Sequence, residues 1–494
     1  KIMNEILLAS PILSVSILAI IALIFDAMNE KNKSFGFIFV QASLLIGLAF
    51  SLVGLFSYYE LVEYTDWVHS YSQLSLNFTQ TAYFFDVVFC LSAIFTLWAS
   101  KPYLQKENVE ETEYYNLILY AVAGMMIIAH SNHMITAFIG IETMSLSFYI
   151  MAGYFRFNKK SVEAAMKYFF LGAFSTGFLV YGMAMIYGAT GSFQFDTIAA
   201  AISTGTLNST LYLNIGFGLI IVGLAFKMAI FPFHQWAPDV YTGSPTVITA
   251  FMSTAGKAAA VIIFILITRI LLVHSEVAAI VTNTHNAQIV LAILSAITML
   301  LGNITAVVQK NVKRMLAYSS VAHAGYILMG IVSNTIEGWK GAVFYITAYV
   351  FMQIGAFILV SIFEKQKEKN LEFSDYAGLY KSNPAMAIMM AIFMFSLAGI
   401  PPFVGFIGKY LLFIATIKAG FTWLTLVAVV SSIISMYFYI GLVKYMWFNE
   451  QNEGAEPMES KSILAATPVY ISTIVVIVFG VLPFILDDFL TSIM

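Results

Sequence analysis

Fourteen apolar runs, most of them about twenty residues long, dominate the 494-residue chain. A bilayer core ~30 Å thick takes ~20 apolar residues of helix at a rise of 1.5 Å each. The runs lie at 5–25, 35–56, 81–100, 115–130, 133–154, 162–187, 212–231, 246–273, 288–306, 312–332, 340–363, 384–415, 422–447 and 464–486. β-barrel alternation is absent, so the spans read as helices, which satisfy their own backbone polar groups in hydrocarbon. The first run begins too near the N-terminus, and is too long, to read as a cleaved signal peptide. Only 10% of the residues are charged, against 60% hydrophobic, where a soluble domain carries ~25% charged residues. So little charge cannot coat a soluble multidomain enzyme, and a net charge of −3 offers no basic face for nucleic acid. One cysteine, Cys90, excludes a disulfide framework, a cysteine-built zinc site and an iron–sulfur cluster. The fold class is therefore an all-α polytopic membrane protein with about 14 transmembrane helices.

The basic residues set the expected topology. Seventeen of the 24 lysines and arginines fall in or beside the odd-to-even connections. These include Lys31, Lys33, Lys101, Lys106, Arg156, Lys159, Lys160, Lys167, Lys310, Lys313 and Arg314. Lys365, Lys367, Lys369, Lys381, Lys444 and Lys461 complete the set. Only Lys1, Arg269, Lys340 and Lys418 lie on the opposite side. The positive-inside rule places the first side in the cytoplasm and both termini outside. The Lys365–Lys369 run with Glu364 and Glu368 reads as a solvated loop, and 57–80, with Trp67, as an interfacial stretch.

Three basic residues remain inside the membrane: Lys227 in span 7, Lys257 in span 8 and Lys409 in span 12. Glu142 in span 5 and His323 in span 10 accompany them. A charged residue at a helix centre costs ~2.5–3.5 kcal/mol on insertion scales. Lys257 stands ~11 residues into its helix, ~16 Å deep and too far from either end for comfortable snorkelling. Burial disfavours a charged ammonium and a nearby carboxylate restores it, so a buried lysine has two protonation states that a moving counter-charge can switch. A proton relay needs that property. The competing reading has each lysine pair with a glutamate to hold helices together, or snorkel. Three lysines and a glutamate together favour the relay. His323 suits a proton path or an interhelical hydrogen bond equally well.

Spans 7 and 12 are also broken. Phe226-Lys227-Met228-Ala229-Ile230-Phe231-Pro232 and Ile400-Pro401-Pro402-Phe403-Val404-Gly405-Phe406-Ile407-Gly408-Lys409 each set a helix-breaking proline within two turns of a lysine. The breaks are five spans apart, so their helices run in opposite directions. Spans 4–8 and 9–13 thus form candidate inverted five-helix repeats, in which broken helices mark an ion site. Lys227 precedes its proline and Lys409 follows, so segments correspond rather than residues. A plain proline kink is the simpler alternative. Motifs for redox cofactors are missing: no GxGxxG follows a strand, Phe403 stands where a Walker A glycine would precede Gly408-Lys409, and there is no CxxC.

Several stretches are similar to one known family. Ser161-Val-Glu-Ala-Ala-Met-Lys-Tyr-Phe-Phe-Leu-Gly-Ala-Phe, Tyr187-Gly-Ala-Thr-Gly-Ser, Pro232-Phe233-His234-Gln235-Trp236-Ala237-Pro238-Asp239-Val240-Tyr241 and Ala255-Gly256-Lys257 resemble antiporter-like subunits of NADH-quinone oxidoreductase, respiratory complex I. Lys313–Tyr326 resembles the wider family of complex I and Mrp-type antiporter subunits. The likeness covers at least 110–445. Gly140-Ile141-Glu142 and a lysine rather than a glutamate at Lys409 resemble the subunit N branch, and no long lateral helix follows span 14.

This resemblance implies a proton-translocating membrane-arm subunit. Glu142 and Lys227 become a modulating ion pair, Lys257 the central relay, Lys409 the terminal one, and His323 a bridge. It implies three leading helices (1–110), a first half-channel (111–275), a second (285–447) and a C-terminal loop and helix (448–494). It further implies that FMN, iron–sulfur clusters and quinone sit in other subunits, with no cofactor on this chain. Subunits M, K and J become expected neighbours, with no nucleic acid and a bacterial inner (plasma) membrane location. A stand-alone cation/proton antiporter and a structural membrane scaffold are the alternatives.

Overall fold

The computed structural model describes residues 2–28, 33–58, 75–109, 112–271, 284–365, 371–450 and 462–494. The expected interfacial stretch around Trp67, and the topology residues Lys1, Lys31, Lys367, Lys369 and Lys461, lie outside the described residues. Among those described the chain is helical throughout. Helices α1 (Ile2–Met28), α2 (Lys33–Phe56) and α3 (Gln80–Glu107) come first. Next are α4 (Thr112–Ala129), α5 (Met134–Ala152), α6 (Lys159–Thr190) and the short α7 (Phe195–Thr204). The seventh span is α8 (Thr210–Met228), a break, and α9 (Trp236–Gly243). The eighth, α10, runs Thr246–Phe251, passes through a π-helical turn at Met252–Gly256, and continues as Lys257–Leu271. Then follow α11 (Thr284–Val307), α12 (Val312–Ser333), α13 (Ile336–Phe363), α14 (Pro384–Ala398), α15 (Val404–Lys418), α16 (Thr422–Phe448), α17 (Ile463–Val481) and α18 (Phe484–Ile493).

Thirteen helices among the described residues are long and apolar enough to cross a membrane. The expected twelfth span is not among them because it is split into two 15-residue helices, α14 and α15. Side-chain caps begin many of the helices: Thr79 accepts from the Ala82 N–H, Asn311 from Arg314, Thr335 from Gly338 and Asn383 from Met386. Each satisfies one of the orphan donors of a first turn. Within α3, Ser92, Thr96 and Ser100 return their hydroxyls to the carbonyl four residues back, so these polar groups need no water.

Small residues set the helix spacing, as expected where lipid supplies no hydrophobic drive between helices. A Cβ added at Gly124 on α4 would lie 2.6 Å from the Met144 nitrogen on α5. One added at Gly302 on α11 would lie 2.5 Å from the Ala322 nitrogen on α12. Helices α10, α12 and α13 are almost wholly buried, whereas α6 and α16 turn broad apolar faces outward, Phe174 and Tyr437 among them. Such faces suit a lipid surround.

The two breaks share one turn. At the end of α8, Ala229 adopts φ 59°, its N–H reaching the Phe226 carbonyl and that of Ile230 the Ala225 carbonyl. At the end of α14, Gly399 adopts φ 84°, with the same pair of bonds to Ser396 and Phe395. This is the paired-bond helix stop built on a left-handed residue. Superposing the turns sets Pro232 on Pro402 but Lys227 on Leu397 and Lys409 on Asp239, so the segments correspond and the lysines do not.

Glu364 corrects the reading of a solvated loop. It caps the end of α13 with its side chain buried, and accepts a hydrogen bond from the Tyr103 hydroxyl of α3 at 3.2 Å. Lys106 donates to its backbone carbonyl. Proximity to α3 withdraws this carboxylate from the charge run that follows it.

Candidate functional site

The first cluster joins α5, α6 and α8. Glu142, Ser145 and Tyr149 recur at i, i+3 and i+7, one face of α5. Lys227, in the last turn of α8, meets that face: its Nζ donates to Ser145 Oγ at 2.7 Å and stands 3.8 Å from Glu142 Oε1. Thr176 of α6 donates its hydroxyl to the same carboxylate oxygen at 2.8 Å. The lysine side chain is 5% exposed and the glutamate 23%. The carboxylate is therefore the more accessible partner of the pair.

The second cluster lies between α10, α12, α13 and α16. Lys257 opens the regular helix that follows the π-turn, a distortion often found at functional sites. Its Nζ donates to Ser320 Oγ at 2.6 Å and to the Ser320 carbonyl, with the Tyr349 ring 5.7 Å away. One turn on from Ser320, His323 stands between two hydroxyls: Nδ1 is 2.7 Å from Tyr345 and Nε2 is 3.0 Å from Tyr439. In a neutral imidazole one nitrogen donates and the other accepts. With a hydroxyl at each, either tautomer is satisfied, so the ring can take a proton at one face and release one at the other.

The third cluster surrounds Lys409 on α15. Its Nζ donates to the carbonyls of Leu397 (3.2 Å) and Ala398 (3.0 Å), the free end of α14, and to Ser432 Oγ of α16 (2.9 Å). The ammonium thus caps the negative pole of the broken helix. The Tyr326 ring lies 4.7 Å from Nζ and 5.9 Å from the His323 ring. Tyr349 in turn is 5.0 Å from His323. Ring contacts of Tyr349 and Tyr326 thus connect Lys257, His323 and Lys409, and the hydroxyls of Tyr345 and Tyr439 bracket the imidazole. Among the described residues no hydrogen bond, ion pair or ring contact joins Lys227 to Lys257. Among the described residues, no carboxylate lies within salt-bridge distance of Lys257 or Lys409.

The partners were partly visible in the sequence. Ser320 and His323 are i and i+3 on α12, Tyr345 and Tyr349 are i and i+4 on α13, and Ser432 and Tyr439 are i and i+7 on α16. That these stripes face one another was not visible. Three further groups were missed. Asp86, inside α3, is fully buried 2.8 Å from His130 Nε2; a lone acid in an apolar run was signal enough. Lys313, read only as a topology marker, is buried with Nζ on the Ser244 carbonyl at 2.6 Å. Asp239 on α9 bridges Lys167 of α6 (2.8 Å) and Arg314 of α12 (3.1 Å), tying the far half of the broken helix to both. Among the described residues no group of three or more His, Cys, Asp or Glu is placed to hold a metal ion.

The family described as NADH:quinone oxidoreductase/Mrp antiporter, TM, matches residues 131–435, which contain all five site residues. NADH-quinone oxidoreductase subunit N of Trichlorobacter lovleyi is 45% identical over 372 residues, 75% of each chain. That of Salinibacter ruber is 41% identical over 397 residues, covering 80% of this chain and 77% of the relative. Among solved structures, a chain of respiratory complex I from Thermus thermophilus with bound aureothin superposes with a TM-score of 0.79 at 28% identity, covering 97% of this chain and 98% of that one. A chain of the Mrp complex from Dietzia shares the fold alone, with a TM-score of 0.80 at 20% identity.

Proposed function

Because the chain belongs to the NADH:quinone oxidoreductase/Mrp antiporter family, within its subunit N branch, we propose that Glu142, Lys227, Lys257, His323 and Lys409 form its proton relay. The observation that carries this reading is the run of buried groups from Lys257 through the tyrosine-lined His323 to Lys409. Every ammonium on it is held by oxygen acceptors, and only Lys227 has a carboxylate beside it.

At an effective dielectric of ~20 the Glu142–Lys227 attraction is about 4 kcal/mol, and doubling the separation roughly halves it. A change of about 2 kcal/mol alters proton affinity ~30-fold. Drawing Glu142 away from Lys227 therefore favours proton release, and bringing it back favours uptake. Water carries the freed proton to Lys257, since no side-chain contact joins the two lysines; the neutral Lys257 amine accepts it, the resulting ammonium yields it to the neutral His323 imidazole, and from there it reaches the neutral Lys409 amine, which discharges it. Reciprocity requires that a proton arriving at Lys257 acts back on the Glu142–Lys227 pair.

In this reading the membrane-arm neighbours are subunits M, K and J, and the location is a bacterial inner membrane with both termini outside. Electron carriers (FMN, iron–sulfur clusters and quinone) belong to other subunits, so this chain has no redox site of its own. The residue on which all this turns is Lys257. In the assembled complex Lys257→Met should cut NADH-driven proton pumping to below about a tenth, a barrier change of more than ~1.4 kcal/mol, measured by fluorescence quenching in inverted vesicles. Undiminished pumping and quinone reduction would overturn the relay. Copurification of quinone-reducing subunits separates this reading from the stand-alone antiporter.

A further inference from the structure

A cleft of about 880 Å³ lies away from the lysine clusters, between the end of α11, the segment around Phe373 and the second half of α16. Its α16 wall is one continuous stripe: Ile433, Tyr437, Gly441 and Lys444 follow the three-to-four-residue spacing of a single helix face. The stripe is ~16 Å long at 1.5 Å per residue, about the depth of one leaflet's hydrocarbon. Its deep end is apolar and outward-facing, with Ile433 61% and Tyr437 71% exposed. Two exposed lysines, Lys444 and Lys310, line its other end. The base is closed by the Phe373 and Tyr445 rings, centroids 5.9 Å apart.

Gly441 keeps the cleft open. A Cβ there would meet nothing nearer than Phe373 at 3.9 Å, so the missing side chain serves no close helix contact. Glu372 is the acid on the lining, and its carboxylate accepts the Asp375 N–H in the capping box of its own turn. The lining therefore holds two lysines to one acid, with the Asp375 carboxylate turned onto the Glu372 N–H of the same turn, and it lies on the side to which the basic residues assign the cytoplasm. That leaflet carries the anionic lipids, and basic pockets between helices recognise their headgroups.

We propose that this cleft binds one anionic phospholipid, its phosphate between Lys310 and Lys444 and an acyl chain along Gly441, Tyr437 and Ile433. The order of charges and apolar surface along the stripe is that of the lipid itself. A helix from a neighbouring subunit would have to supply an acid at that depth to match the lysine that the lining holds in excess of Glu372.

The test uses the purified complex in phosphatidylethanolamine nanodiscs with a trace of phosphatidylglycerol bearing a photoactivatable acyl chain. Labelled peptides should map to 433–445, with labelling displaced by unlabelled phosphatidylglycerol and not by phosphatidylethanolamine. Each of Lys310→Ala and Lys444→Ala should weaken competition about fivefold. Gly441→Phe should abolish labelling, and Gly441→Leu, the milder change, should reduce it. NADH-driven pumping should persist in all four, since none touches the relay. Labelling unaltered in every variant, equal displacement by phosphatidylethanolamine, or a subunit peptide crosslinked over Tyr437 in place of lipid would overturn the assignment. Labelling and pumping are separate readouts, so failure of the relay and failure of the lipid site are distinguishable.

Discussion

Lys227 and Lys409 stand beside the two helix breaks, and their ammonium groups are held in different ways. Lys227 sits at the end of the helix before its break and faces a serine hydroxyl and a carboxylate that both belong to α5, the carboxylate also accepting from Thr176 of α6. Lys409 sits beyond its break and reaches back to the open carbonyls of α14 itself, with one hydroxyl added. The first environment contains a further, partly exposed charge. The second is built of fixed dipoles. A carboxylate at adjustable distance suits a group whose proton affinity must change on command, whereas fixed carbonyls suit a group that accepts what arrives and hands it on.

The largest test of that contrast is removal of each lysine. Lys409→Met leaves the Leu397 carbonyl facing an apolar side chain, with Ser432 still on that of Ala398, and takes away the last carrier, so pumping should fall by more than about tenfold. Lys227→Met removes the control and leaves Lys257, His323 and Lys409 in place, so a slower, poorly coupled flux of roughly a third should remain. Equal losses, read as pumping per quinone reduced, would erase the distinction between modulator and carrier. Between the two in size is Ser320→Ala. It deprives Lys257 of a hydroxyl while the backbone carbonyl stays, a loss of about 1 kcal/mol that should slow pumping about fivefold. Tyr345→Phe should cost less, about twofold, because His323 keeps its Tyr439 partner; with Tyr439→Phe added, the ring loses both and the fall should exceed the product of the single effects.

These partners also mark how far the sequence could be read. The membrane class, the spans, both breaks and the three lysines were legible, because each is a departure from apolar monotony within one helix. Stripes such as Glu142, Ser145 and Tyr149 were legible in principle by helical spacing. Contacts such as Lys257 to Ser320, or Asp86 to His130, were not, because they depend on which faces of distant helices meet. Near-complete burial of α10, α12 and α13 removes the usual clue, since a helix apolar all round does not say which face carries its partners. Lys313 shows the converse: the rule that made it a topology marker hid a buried side chain at the membrane edge.

The smallest expected effect is that of Ala229→Gly, in the turns themselves, where the two breaks can be exchanged residue for residue. Ala229 and Gly399 hold the same position, with φ of 59° and 84°. A left-handed alanine costs about 1 kcal/mol, and a glycine there loses a comparable amount of chain entropy on folding, so Ala229→Gly should change stability by less than ~1 kcal/mol. No part of the Lys227 cluster touches the Ala229 side chain in the hydrogen bonds and ion pairs that hold it, so pumping should stay as it is. Gly399→Ala meets a different neighbour. Its Cβ would lie 3.0 Å from Lys409 Cδ and 3.2 Å from Nζ, closer than ordinary contact, and the ammonium is anchored by three acceptors. Lys409 must shift, so the substitution should lower both the melting midpoint of the complex and pumping, the latter about threefold. A pumping loss at Gly399 without one at Ala229 locates the second lysine's function in the helix end it caps. Equal effects from the two exchanges would mean that both turns serve only to fold the chain.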